Sequence, residues 1–78
     1  MKKIIDGKRY DTETATLIYT EYIIMKRRDY YKTKKGTYFC HYVSVGEIQL
    51  IPETEMMDIL ANKDVDKYIE LFGDVAEG

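Results

Sequence analysis

The 78-residue chain is 45% hydrophobic and 33% charged, with a formal net charge of −2. That balance excludes an intrinsically disordered chain and fits one small domain with a thin core. The longest apolar run, residues 22–25, is far too short to span a bilayer, and the opening MKKIIDGKRY has no apolar stretch behind its lysines, so neither a secretory leader nor a membrane partner is expected.

In chain order, the first signal is Asp6-Gly7, a pair suited to a two-residue hairpin turn because both central positions need positive φ. Residues 14–26 are rich in β-branched and aromatic types and predict a central strand, with Leu17, Tyr19, Glu21, Ile23 and Met25 on one face and Ile18, Thr20, Tyr22 and Ile24 on the other. Residues 26–29, KRRD, read as a polar break. Residues 30–42, YYKTKKGTYFCHY, predict a hairpin with Gly36 in its loop and Lys34 and Lys35 at its tip. Tyr38, Cys40 and Tyr42 then share one face, and Phe39, His41 and Val43 the other. Residues 47–51 form a further strand candidate, ended by Pro52. Thr54 is the expected N-cap of a short helix carrying Met56, Met57, Ile59 and Leu60, and Asp64 that of a second, whose apolar stripe is Val65, Tyr68, Ile69 and Phe72. Gly73 suits the end of that helix, and residues 74–78 form a tail. The predicted fold is α+β, a single domain over residues 1–78. It has a small antiparallel sheet of three to five strands within 1–51 and one or two short C-terminal α-helices within 53–73 packed on it.

The charge is unevenly placed. Residues 1–46 hold ten Lys/Arg against five Asp/Glu, or +5, and residues 47–78 hold two against nine, or −7. The plainer expectation is mutual neutralisation across the fold; the functional one is an exposed charged face that steers a partner. Two candidate surfaces follow. Lys26, Arg27, Arg28, Tyr30, Lys32, Lys34, Lys35 and Tyr38 interleave cations with rings, as single-stranded nucleic acid requires, although tyrosines in so small a chain are expected to build much of its core. Glu55, Asp58, Asp64, Asp66 and Glu70 predict an acidic helical face that can occupy a cationic groove on a protein partner.

Catalytic signals are weak. Cys40 and His41 are the only cysteine and histidine, and as strand neighbours they point to opposite faces, so they make no dyad, and one cysteine makes neither a disulfide nor a zinc site. Asp11 to Thr14, DTET, reads as turn chemistry better than as a carboxylate pair, and no glycine-rich phosphate loop is present. No cofactor and no metal is expected, and the setting expected is cytoplasmic. Self-pairing into a homodimer through an edge strand is a third way to use the surface.

Residues 7–15, GKRYDTETA, and residues 30–39, YYKTKKGTYF, followed by QLIP at 49–52 and ELFG at 70–73, resemble a family of small proteins from Gram-positive bacteria, their phages and conjugative elements. The likeness covers most of the chain. Family members carry a longer glycine-rich loop where this sequence has only HYVSVG, residues 41–46, so it resembles a shortened member. The resemblance brings no catalytic activity and assigns no residue a role. It implies a non-enzymatic accessory protein of a mobile element that binds and inhibits a host protein, an anti-CRISPR-like role among the possibilities. The alternative is a small nucleic-acid-binding protein using the basic hairpin within residues 26–42.

Overall fold

A computed structural model describes residues 1–78. Six strands precede two helices: β1 (Lys2–Ile5), β2 (Lys8–Asp11), β3 (Thr16–Ile23), β4 (Lys26–Lys32), β5 (Tyr38–Tyr42), β6 (Glu47–Ile51), α1 (Glu53–Lys63) and α2 (Val65–Phe72). The chain is α+β, as its pattern predicts. The strands divide between two antiparallel sheets, a β1–β2 ribbon and a four-stranded meander in the order β3-β4-β5-β6.

The meander is covered on both faces, which explains why its strands lack a polar side. Ile18, Tyr30, Tyr38, Cys40 and Ile51 pack with Met56 and Leu60 of α1, and Tyr68, Leu71 and Phe72 of α2 close over them. On the opposite face Tyr31, Phe39 and Ile48 pack under Tyr10 of the β1–β2 ribbon. Phe39 lies at the centre of this second cluster, stacked on Tyr31 at 5.1 Å between centroids and meeting Tyr10 edge-on at 5.8 Å. The alternation expected for β5 therefore holds, with Tyr38 and Cys40 toward the helices and Phe39 toward the ribbon.

Turn chemistry explains the ribbon and the β4–β5 hairpin. Asp6 and Gly7 both take positive φ, 51° and 75°. Gly36, at φ 92°, closes the second hairpin, where the Gly36 amide donates to the Thr33 carbonyl at 2.9 Å.

Four expectations about the sheet and the start of α1 are corrected. The β3 strand does not run through Met25: Ile23 faces Lys26 across a two-residue turn made of Ile24 and Met25. KRRD is consequently not a break but the first half of β4. Its charges find partners along the strand and across the ladder: Asp29 accepts from Arg27 Nε and Nη2 of its own strand at 2.9 Å each and from Thr20 Oγ1 of β3 at 3.0 Å, and Arg28 pairs with Glu21 of β3 at 3.9 Å. A bulge between Leu17 and Tyr19 breaks the expected alternation, setting Leu17 opposite Tyr31 and Tyr19 opposite Tyr30, on different faces. Finally, α1 starts at Glu53 with Pro52 in the cap position and no side-chain cap bond, so Thr54 lies within the first turn. Proline's fixed φ suits that entry.

Asp64 does cap α2, its Oδ1 accepting the Lys67 amide at 3.1 Å, and its own amide donates to the Leu60 carbonyl at 2.9 Å, so one residue ends α1 and starts α2. The buried stripe of α2 is rotated from the predicted one: Tyr68, Leu71 and Phe72 face the core, whereas Val65 and Ile69 are exposed.

Candidate interaction surfaces

The fold takes apart the cation–ring surface expected from the sequence. Tyr30 and Tyr38 are 4% and 3% exposed and belong to the helix-side core, so neither ring can receive a base. Burial pushes the Tyr30 hydroxyl up to about 12, against the opposing pull of Arg28. Arg27 is committed to Asp29 and Arg28 to Glu21, with Arg28 also 5.2 Å from the centre of the Tyr42 ring. The Lys32 ammonium sits 5.6 Å from the centre of the Tyr38 ring. That leaves Lys26, Lys34 and Lys35. Lys26 opens β4 and the other two lie beyond its far end, ~20 Å away along the strand, so they form no single patch.

Lys34 and Lys35 instead meet residues that local reading does not connect to them. The β1–β2 ribbon folds across the sheet and brings Lys8 and Arg9 to the β4–β5 turn. These four cations line a cleft of about 430 Å³ with the hydroxyls of Thr14, Thr33 and Thr37. Asp11, the one acid in its wall, is buried, and its Oδ1 accepts the Glu13 amide at 2.9 Å, the turn role read from DTET. Nothing in the sequence pairs residues 8–9 with 34–35 before the packing of Tyr10 on Phe39 is known.

The acidic residues do form an exterior. Glu55 and Asp58 on α1 and Asp66 and Glu70 on α2 are exposed, while Asp64 is half-buried and spent on its cap. Glu70 is held by Lys67 at 2.6 Å. Of the four ion pairs in the structure, only Lys3–Glu47, at 3.4 Å, joins residues 1–46 to residues 47–78. The two charge excesses therefore segregate, acidic helices over one face of the meander and a basic ribbon over the other. This corrects the expectation of mutual neutralisation.

A third surface has no counterpart in the sequence reading. Tyr22, Ile24 and Met25 are 75%, 90% and 102% exposed, and Ile23 beside them is exposed as well. Ile24 and Met25 also hold left-handed backbone, φ 39° and 62°. At the base of this ribbon, Glu21 and Arg28 face Glu55 and Asp58 of α1 across an open cleft of about 500 Å³.

Cys40 is fully buried, and burial raises its thiol to about 11, which makes it inert as a nucleophile near neutrality. His41 lies on the opposite face of β5, beside Asp29 and Ile48 in the ladder. No three His, Cys, Asp or Glu side chains gather to hold a metal ion. No helix is long and apolar enough to cross a membrane.

The raised thiol and phenol set an alkaline limit. Between the ordinary cysteine value of 9.0 and about 11, the folded state holds a proton that the unfolded state has lost, and Tyr30 does the same between 10.0 and about 12. Stability from these groups is fully present below about pH 9 and falls as pH rises through those windows. Urea titrations at intervals from pH 8 to 12 are expected to show that fall, with Cys40→Ala flattening the part between about 9 and 11. An unchanged slope in the variant would contradict the burial of an un-ionised thiol.

No protein-family model matches the chain, and no curated protein or solved structure matches it either.

Proposed function

We propose that this chain is a binding protein, not an enzyme, that docks on a protein partner through the tip of the β3–β4 ribbon. The observation that carries this is the tip itself: four consecutive apolar residues, 22–25, exposed to water, the last two on left-handed backbone. Burying an Ile, Met or Tyr side chain contributes about 1.5–3 kcal/mol, and a few such anchors dominate most interfaces. The acidic exterior of α1 begins beside the base of the ribbon and supplies a field that draws in a cationic surface. The partner is then a protein with an apolar socket beside a basic patch. A nucleic-acid-handling host protein has the right charge, and the resemblance to mobile-element proteins favours one in a defence complex, where occupation of the basic patch would inhibit it.

The test is affinity capture from bacterial lysate, before and after nuclease treatment, run in parallel with three baits. The unaltered chain is expected to retain a specific protein. Ile24→Asn/Met25→Gly should reduce its recovery at least tenfold. Glu55→Lys/Asp58→Lys should weaken it and blunt its dependence on salt. Equal recovery on the unaltered chain and the tip variant, or recovery of nucleic acid alone before nuclease, would overturn the reading.

A further inference from the structure

The cleft between the β1–β2 ribbon and the β4–β5 turn has a chemistry of its own, on the face opposite the acidic helices. The geometry points to a binding site for adjacent phosphate groups, as along a nucleotide chain, held by Lys8, Arg9, Lys34 and Lys35.

Four cations from two separate elements converge on one concavity. None has a carboxylate within ion-pair distance, since the ion pairs of the structure all involve other cations. Gathering like charges costs folding free energy, and a bound anion offsets that cost. The wall holds one acid, Asp11, whose Oδ1 accepts the Glu13 amide, so four cations stand against a single, largely buried carboxylate. The hydroxyls are suited to oxyanions. Thr33 Oγ1 already accepts the Thr37 amide at 3.1 Å, which leaves its own hydrogen free to donate outward. Thr14 and Thr37 add two further hydroxyls to the wall.

Size and number select the ligand class. A cleft of about 430 Å³ with four positive groups exceeds what one phosphate needs, so the fit is to two or more phosphates in sequence. The site offers no platform for bases: its one ring, Tyr10, is buried against Phe39. Recognition would therefore run through phosphates alone and be indifferent to base sequence. The acidic helices on the far face repel a polyanion and confine it to this side, which reconciles a local phosphate site with a net charge of −2. The site stands independently of the ribbon tip, since its residues lie at the other end of β4.

Adjacent phosphates can come from a polynucleotide or from a free nucleoside triphosphate. The full chain, isotopically labelled, is to be titrated at low salt with three probes: a short single-stranded oligonucleotide of mixed sequence, ATP, and inorganic phosphate. Amide shifts are expected at residues 8–11 and 33–37 with the first two. The oligonucleotide is expected to bind at least tenfold tighter than ATP; equal affinities would keep the phosphate site and assign it to the free nucleotide. Lys34→Glu/Lys35→Glu and Lys8→Glu/Arg9→Glu should each weaken the oligonucleotide at least tenfold. Each should also shallow the log–log salt slope, by ~0.7 for each phosphate left without its cation. Lys26→Glu, at the far end of β4, should leave affinity within twofold. Circular dichroism verifies that each variant folds. No cleft shifts with any probe, or a Lys26→Glu loss as large as that of the cleft variants, would overturn the proposal.

Discussion

Phe39→Ala is expected to leave much of the chain unfolded at 25 °C. Phe39 has no exposed surface and is the ring on which Tyr31 stacks and Tyr10 leans. Truncating such a residue costs about 3–5 kcal/mol, and each aromatic pair broken adds ~0.5–1.5 kcal/mol. A domain of this length has a total stability of only about 4–12 kcal/mol. The loss thus approaches the whole, and it is concentrated where the ribbon no longer has a ring to rest on. Leu50, the ladder partner of Phe39 on β6, is partly exposed and serves as the control. Leu50→Ala should cost about 1 kcal/mol or less, because much of its side chain already faces water. Urea melts followed by far-UV circular dichroism measure both. A Phe39→Ala transition within about 1 kcal/mol of the unaltered chain would mean that the ribbon-side cluster contributes little to folding.

The opposite sign is expected at the ribbon tip. Ile24→Asn/Met25→Gly should stabilise the free protein by about 1–3 kcal/mol. Left-handed backbone costs an L-residue roughly 1–2 kcal/mol, and a β-branched side chain such as Ile24 tolerates it least. Asn-Gly takes the same turn with little strain. At about 4–8 °C per kcal/mol for a domain of this size, Tm should rise by about 4–24 °C. The same change removes two exposed apolar side chains and should raise solubility. Paired with the binding loss expected of this variant, the result would place stability and docking in direct opposition at one two-residue turn. An unchanged or lowered Tm by calorimetry would remove the argument that the tip is kept against its own strain.

Legibility in the sequence followed the presence of residues with a local meaning. Asp6-Gly7, Gly36, Asp64 and Gly73 each mark a turn or a helix end by a backbone or capping preference, and each stands where it was expected. The turn at Ile24–Met25 carries no such marker and reads as continuous strand. The charges of residues 26–29 read as solvent-seeking, because their ladder partners Glu21 and Thr20 become neighbours only once that turn is made. In α2, Val65, Tyr68, Ile69, Leu71 and Phe72 form an apolar arc broader than the face an eight-residue helix can bury, so periodicity finds the helix but not its rotation. The candidate sites depended on tertiary placement to a greater degree. Alternation along β5 puts Tyr38 and Cys40 on one side, yet only the covering elements show that both sides are interior. The cation cleft needs the return of the β1–β2 ribbon over the sheet, and no local signal carries that.

The sheet order has a kinetic consequence. In the meander every strand is bonded to its neighbour in sequence, and the only other ladder is the β1–β2 ribbon, also between neighbours. Each ladder closes through a short connection, so little chain entropy is lost before the first bonds form. Remaining for later are two docking events, the helices from one side and the ribbon from the other. Such wiring belongs with low contact order, and refolding within milliseconds is the corresponding expectation, on the order of the faster mixed α/β domains. Because the meander can assemble before either cover arrives, substitutions in α2 or β1 should act chiefly on the rate of unfolding, and those at Tyr30 or Phe39 on the rate of folding.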